Sequence, residues 1–146
     1  MSTTATQLRA PSNQAYLILR TGFTVAPILF GLDKFFNVMV FWPKYLAPWI
    51  NGLMPGDAQA FMYFVGVVEV VAGLTVLVRP WLGSLLVAGW LGAIIVNLLT
   101  FNPPQYYDIA LRDFGLFLGA LTLNRLSTAA TTSRGQTHVE RPTLAA

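Results

Sequence analysis

The residues that could carry chemistry in this chain are the few charged and amide side chains inside long apolar segments. A charged side chain in hydrocarbon is costly, so such residues are retained mainly where they are paired or used. Carboxylates near a lysine and an arginine can form an ion network, hold a polar headgroup or exchange a proton. The candidate site residues are Asp33, Lys34, Glu69, Asn97, Arg112 and Asp113.

Cysteine and histidine chemistry is largely excluded. The chain has no cysteine, which rules out a disulfide framework, a thiolate metal site and a dithiol relay. Its one histidine, His138, lies in the C-terminal tail. Because neither residue type occurs in the apolar segments, we expect no metal, haem, iron–sulfur or covalently held cofactor. Any redox cofactor would belong to a partner or be a quinone, and a bound lipid is the other candidate ligand.

The composition indicates a membrane protein. Of 146 residues, 55% are hydrophobic and 10% charged, and the mean hydropathy is +0.58. A soluble domain has about 25% charged residues, so a solvated globular surface is nearly ruled out. The net charge of +3 comes from scattered basic residues, which fit a membrane topology signal better than a nucleic-acid interface. We therefore expect a lipid bilayer, and no nucleic acid, as the partner.

Four apolar segments approach the roughly 20 residues that cross a hydrocarbon core. Arg79-Pro80 leaves a very short turn between the second and third segments, so these two must run antiparallel. The pattern predicts an all-α membrane protein with a four-transmembrane-helix antiparallel bundle. The segments cover approximately residues 16–36, 59–78, 81–100 and 106–126.

The predicted organisation has three parts. Residues 1–14 form a polar leader without a small-residue cleavage site, residues 15–126 the four-helix transmembrane domain, and residues 127–146 a polar tail. The composition of the tail is typical of a segment that becomes ordered with a partner. Basic residues near the span ends lie mostly on one face, which predicts that both termini are cytoplasmic. That face has Arg9, Arg79, Arg125, Arg134 and Arg141, and the opposite face has Lys34 and Lys44.

The connection over residues 37–57 is rich in aromatic residues. From Pro43 onward, Tyr45, Trp49 and Leu53 recur at helical spacing, which predicts a short interfacial amphipathic helix between the first and second spans. Two interpretations remain open: a loop that lies on the membrane, or a lid over a lipid-accessible pocket.

The depths of the candidate residues converge in the outer half of the bundle. At about 1.5 Å per residue, Asp33, Lys34 and Asn97 lie 10–12 Å outward of the span centres, and Glu69 lies at the centre. Arg112 and Asp113 lie about 5 Å outward. If all six side chains face the interior of the bundle, they line a polar cavity that opens to the outer face of the membrane and narrows toward Glu69. A buried ion network that sets helix register and a functional cavity are both compatible with this pattern.

Other residues are expected to shape the bundle. Pro27 should kink the first helix, and Arg20 is expected to snorkel toward the cytoplasmic headgroups. Gly115 and Gly119 form a GxxxG pattern that favours close packing inside the bundle over dimerisation.

Three short motifs stand out: Arg-Thr-Gly at 20–22, Gly-Leu-Asp-Lys-Phe at 31–35 and Val-Gly-Val-Val-Glu-Val-Val-Ala-Gly-Leu at 65–74. Together they resemble the DoxX family of small prokaryotic four-helix membrane proteins, which includes DoxD-like subunits. The resemblance covers about residues 17–126 and fits the fourth span only loosely. It implies a location in the prokaryotic plasma (inner) membrane. Some members resemble the membrane subunit of a thiosulfate:quinone oxidoreductase. The matched positions are Arg20, Gly31, Lys34, Glu69 and Gly73.

Three functions are compatible with these features. The first is a non-catalytic or quinone-associated membrane subunit of a redox or energy-converting complex, in which a quinone or lipid headgroup reaches Lys34, Glu69 and Arg112. The second is a proton-coupled small-solute carrier that uses Glu69. The third is a purely structural packing subunit. In each case we expect no catalytic residue in the isolated chain, and protein partners in a membrane complex or a homo-oligomer.

Overall fold

The computed structural model describes residues 2–53 and 55–139, with the side chains of residues 11–53 and 55–130. Within these ranges the chain is helical and has no β-strand, which confirms the all-α prediction. The helices are α1 (Ser2–Phe36), a 3₁₀ helix (Trp42–Tyr45), α2 (Pro48–Asn51), α3 (Ala58–Val78), α4 (Pro80–Leu99) and α5 (Tyr107–Val139).

Among the residues that the structure describes, three helices are long and apolar enough to cross a membrane. They are Pro11–Phe36 within α1, the whole of α3 and the whole of α4. Many of their large apolar side chains are exposed, as expected where lipid replaces water as the solvent. The length and composition of these helices indicate a membrane protein. Helix α5 is long enough but more polar, because Arg112 and Asp113 lie near one end of its apolar stretch and Asn124 and Arg125 near the other.

Helices α1 and α5 both extend beyond the predicted spans. Helix α1 already begins at Ser2, so the polar leader continues the helix instead of preceding it. Helix α5 continues to Val139 through much of the predicted tail. Helix elongation from an existing helix needs no new nucleus, so polar residues can extend it. Met1, Met54 and residues 140–146, which include the end of the predicted tail and Arg141, lie outside the described residues.

The helices pack in two pairs. Helix α1 packs mainly on α3, and α4 packs mainly on α5. Arg79 is the single residue between α3 and α4, and its N–H donates to the Thr75 carbonyl. Gly83 lies against the Val76 backbone, where a β-carbon would not fit. This close turn joins the two pairs, as the Arg79-Pro80 dipeptide predicted. The apolar core between the pairs comprises Ala72, Val76, Val87, Ala88, Ala120 and Leu123.

The outer connection forms two short helices instead of one amphipathic helix. Ala47 has an extended backbone and lies directly before Pro48. A residue before proline is disfavoured in the helical region, which explains the break between the 3₁₀ helix and α2. Leu46 is buried at this break and packs in a cluster with Met62 and Val65. The middle of the connection therefore packs against α3.

Candidate functional site

The centre of the site is an ion pair between α1 and α3. Nζ of Lys34 lies 2.6 Å from Oε2 of Glu69, and the two side chains are 5% and 9% exposed. Lys34 is in the last turn of α1 and Glu69 is near the middle of α3. Sequence analysis selected both residues, and the structure brings them into direct contact. Because the charges neutralise each other, the pair can be accommodated inside an apolar bundle.

Two glycines make this contact possible. Gly31 precedes Lys34 by three residues, and Gly66 precedes Glu69 by three residues. Residues three apart lie on the same face of a helix. A β-carbon on Gly31 would lie 2.6 Å from the Gly66 carbonyl oxygen, and one on Gly66 would lie 2.6 Å from the Gly31 carbonyl oxygen. The backbones of α1 and α3 therefore touch at the level of the ion pair, where Gly31 lies against Glu69 and Gly66 lies against Lys34.

Trp42 covers Lys34 from the outer connection. The Lys34 ammonium lies 3.8 Å from the centroid of the Trp42 ring, a cation–π contact. The Trp42 indole N–H donates to Oδ2 of Asp33 at 2.7 Å. The Lys34 ammonium thus contacts both the Glu69 carboxylate and the Trp42 ring. Nothing in the charge pattern indicated this role for Trp42, which the sequence showed only as one aromatic residue among several.

Asp33 organises the end of α1. Its carboxylate accepts hydrogen bonds from the backbone N–H groups of Val38 and Met39 as well as from Trp42. Asn37, which follows α1 in a left-handed conformation (φ 51°), lets the chain turn back toward these donors. Asp33 was a candidate site residue, and the structure shows it positioning Trp42 over Lys34.

Two amide side chains, Asn37 and Gln59, add hydrogen bonds at the same end of α1. The Asn37 side-chain amide donates to Oε1 of Gln59 at 2.8 Å, and the Gln59 amide donates to the Lys34 carbonyl at 2.9 Å. Oδ1 of Asn37 accepts from the Trp42 backbone N–H. The sequence analysis did not select Asn37 or Gln59. Their position as polar residues flanking two apolar segments is the signal that could have found them.

Asn97 holds the outer connection on α4. Its Oδ1 accepts from the Ala47 N–H at 2.9 Å, and its amide donates to the Tyr45 carbonyl at 2.7 Å. The two hydrogen bonds satisfy backbone groups at the break between the short helices. The Trp49 indole donates to Thr100 at 2.9 Å just beyond the end of α4. Asn97 therefore lies apart from the ion pair and fixes the segment that supplies Trp42.

Arg112 and Asp113 differ in environment although they are neighbours. The Arg112 side chain is 68% exposed, whereas the Asp113 side chain is 8% exposed. Two Arg112 nitrogens lie 3.3 Å from Oδ1 of Asp113. Asp113 is within electrostatic range of Lys34 and Glu69. The structure brings Asp113 toward the ion pair and leaves Arg112 on the outside of the bundle.

An apolar cavity of about 340 Å³ lies beside the ion pair. Glu69 and Trp90 are its main polar lining residues, and α1 contributes a wall that extends from Ile18 to Phe30. The Trp90 indole N–H faces the Glu69 carboxylate, yet its nitrogen makes no hydrogen bond within the described residues. A buried donor without a partner is uncommon in proteins. The cavity therefore brings an indole N–H and a carboxylate close together within apolar walls.

Arg20 contacts the end of α3 at the opposite end of the bundle. Its Nη2 donates to the Leu77 carbonyl at 2.5 Å, and its guanidinium lies 6.0 Å from the Tyr16 ring centroid. Leu77 is in the last turn of α3, where backbone carbonyls lack helical partners. The structure thus gives Arg20 a capping role at this end of α3, which is compatible with the expected snorkelling.

The described residues contain no group of three or more His, Cys, Asp or Glu side chains that could hold a metal ion. No family model, no curated protein and no solved structure matches the chain. The functional argument therefore depends on the geometry of the site.

Proposed function

We propose that the chain is a multi-pass protein of a prokaryotic plasma membrane and acts as a non-catalytic, quinone-associated subunit of a redox or energy-converting membrane complex. In this proposal α5 is the fourth span, the outer connection lies at the membrane interface, and both termini are cytoplasmic. The motif resemblance to the DoxX family supports the same assignment.

Packing and charge support the membrane arrangement. Helix α5 packs along α4 and exposes Leu111, Phe114 and Leu118 on its outer surface, as a lipid-facing helix would. Trp49 is 52% exposed on the outer connection, and tryptophan favours the headgroup level. Arg79 lies at the α3–α4 turn and Arg125 near the same end of α5, where the positive-inside rule places the cytoplasm.

The observation that carries the ligand proposal is the cavity beside Glu69 and Trp90. The Trp90 indole N–H, which lies beside Glu69 between apolar walls, suits a flat apolar ring with a carbonyl acceptor, which is the chemistry of a quinone. The wall from Ile18 to Phe30 is about 18 Å long at 1.5 Å per residue. Such a length accommodates part of an apolar tail, and the quinone would enter from the bilayer.

A binding experiment tests this proposal. The purified protein is stripped of lipid, returned to vesicles and titrated with a ubiquinone or menaquinone analogue, and binding is followed by quenching of tryptophan fluorescence. We expect Trp90→Phe to weaken binding roughly fivefold, the equivalent of one hydrogen bond of about 1 kcal/mol. Trp49→Phe, on the outer connection, is the matched control and should bind as the unmodified protein does. A protein that binds no quinone, retains none from its native membrane and purifies alone in mild detergent would refute the proposal.

The topology has its own test because the chain has no native cysteine. Gln105→Cys and Ala130→Cys place single thiols on either side of the proposed fourth span. In intact cells a membrane-impermeant thiol reagent should label the first and not the second. Equal labelling of both positions would contradict the four-span arrangement.

A structural packing subunit is the second candidate, because Asp33, Lys34, Glu69 and Asn97 all have partners within the chain. Under that function, replacing Lys34 and Glu69 together by apolar residues changes stability and leaves the activity of the partner complex unchanged. Under quinone association the same double replacement also alters quinone binding at the adjacent cavity.

A further inference from the structure

The end of the bundle that contains the α3–α4 turn has basic side chains and no carboxylate to neutralise them. Residues 1–32, 70–107 and 114–139 have neither Asp nor Glu. These ranges include the first half of α1, the α3–α4 turn and the second half of α5. Both ion pairs among the described residues lie elsewhere in the bundle. The positive charge at this end is therefore left without a counter-charge from the described part of the chain.

Two arginines, Arg20 and Arg79, lie at the same end of α3. Nη2 of Arg20 donates to the Leu77 carbonyl, and Arg79 follows Leu77 by two residues. Nε of Arg20 has no hydrogen-bond partner among the described residues. The Arg79 side chain is exposed and makes no capping hydrogen bond to α4. The two residues thus supply guanidinium donors that the described part of the chain does not use.

Exposed apolar side chains lie directly beside these arginines. Leu77 and Val78 end α3, Trp81 is the second residue of α4, and all three are exposed, Val78 to 75%. In the membrane arrangement proposed above, the aliphatic side chains contact acyl chains and the tryptophan lies at the headgroup level. A soluble anion would use only the guanidinium groups, whereas a lipid with an anionic headgroup would contact both kinds of surface. The surroundings of the arginines therefore favour a lipid as the source of the anion.

We propose that Arg20 and Arg79 form a binding site for the phosphate headgroup of an anionic phospholipid in the cytoplasmic leaflet. Guanidinium groups donate strong, charge-assisted hydrogen bonds to phosphate oxygens. Basic pockets between helices at the cytoplasmic side of a membrane bind anionic headgroups in the same way. A zwitterionic lipid brings its own cation and leaves the arginines only partly neutralised. This inference depends on the membrane placement proposed above and not on the quinone.

Native mass spectrometry of the full chain, stripped of lipid and held in mild detergent, tests the site. Phosphatidylglycerol and phosphatidylcholine with identical acyl chains are titrated separately, and we expect phosphatidylglycerol to bind more tightly. Arg79→Gln should weaken phosphatidylglycerol binding roughly fivefold, the effect of one basic side chain, and leave phosphatidylcholine binding unchanged. Arg125→Gln, which removes the same charge from α5 at this end of the bundle, is the matched control and should bind as the unmodified protein does. Arg79→Lys keeps the charge, should retain most of the binding, and covers the case in which Arg79→Gln does not fold.

Three results would overturn the proposal. Equal affinity for the two lipids would show that the headgroup charge is not recognised. Equal losses in Arg79→Gln and Arg125→Gln would show a diffuse effect of surface charge in place of a site. Displacement of phosphatidylglycerol by the same concentration of inorganic phosphate would make a free anion the ligand. Because the sample contains no quinone, a failure of the quinone proposal leaves these affinities unaffected, and the thiol-labelling experiment tests the leaflet separately.

Discussion

Gly31 and Gly66 face each other across α1 and α3 so closely that a β-carbon on either would lie 2.6 Å from the carbonyl oxygen of the other. Each glycine lies one helical turn before a member of the Lys34–Glu69 pair. The backbone contact sets the distance between the helices, and that distance sets the length of the ion pair. This relationship explains why a Gly-x-x-Lys pattern on one helix accompanies a Gly-x-x-Glu pattern on the other.

Replacing Gly66 with alanine should destabilise the bundle. The new methyl group would meet the Gly31 carbonyl oxygen and the Phe35 ring, which lies 2.9 Å from its position. Overpacking of this kind costs about 1–3 kcal/mol. Gly89→Ala is the matched control, since nothing lies within 4 Å of its β-carbon position. Thermal unfolding in detergent micelles should give a lower midpoint for Gly66→Ala and an unchanged or higher one for Gly89→Ala.

Breaking the ion pair from one side should cost more than removing it entirely. Glu69→Leu leaves the Lys34 ammonium buried without its counter-ion, and such changes cost about 3–5 kcal/mol. The double variant Lys34→Met with Glu69→Leu removes both charges and should recover most of that loss. Equilibrium unfolding of the two single variants and the double variant measures the coupling. Additive losses would show that the two side chains do not act as a pair.

Trp42 should protect Lys34 from reagents. In the unmodified protein the Lys34 ammonium lies beneath the indole ring and is 5% exposed. Trp42→Ala should expose it to an amine-acylating reagent, with mass spectrometry locating the modification. Trp42→Phe keeps a ring over the ammonium but loses the hydrogen bond to Asp33, so its labelling should be intermediate. Trp49→Ala serves as the control, and equal labelling of Lys34 in that variant would show that Trp42 has no specific covering role.

Asn97→Ala should loosen the outer connection without unfolding the bundle. It removes two hydrogen bonds, one to the Ala47 N–H and one to the Tyr45 carbonyl, each worth about 1 kcal/mol. Hydrogen–deuterium exchange should rise over residues 44–51 and stay constant in α3. Asn124→Ala, which loses a hydrogen bond to the Trp81 carbonyl at the other end of α4, should leave exchange in residues 44–51 unchanged.

Arg20→Met should fray the end of α3. The guanidinium donates to the Leu77 carbonyl, and capping interactions of this kind contribute about 0.5–2 kcal/mol. Amide exchange should therefore increase at the α3–α4 turn around Arg79. A lysine at position 20 restores the charge but presents a single ammonium, so Arg20→Lys should recover part of the protection. Unchanged exchange in Arg20→Met would mean that the turn is held by Gly83 and Pro80 alone.

Composition and apolar segment length were sufficient to predict a helical membrane protein, because burial in lipid requires long apolar segments with internally satisfied backbone groups. The Arg79-Pro80 dipeptide also predicted the short α3–α4 turn, because proline breaks a helix. The charged residues inside apolar segments identified Lys34 and Glu69 as members of the site. These features are local, so each can be read from a short stretch of sequence.

Only the tertiary structure decided which charges meet. It joined Lys34 to Glu69, placed Trp42 above them through Asp33, and directed Arg112 outward while burying Asp113. It also placed the Trp90 indole beside Glu69 at the edge of a cavity. These relationships depend on helix rotation and on the separation of α1 and α3, which the Gly31–Gly66 contact sets. Rotation and separation result from packing between distant segments, and residue spacing within one segment does not specify them.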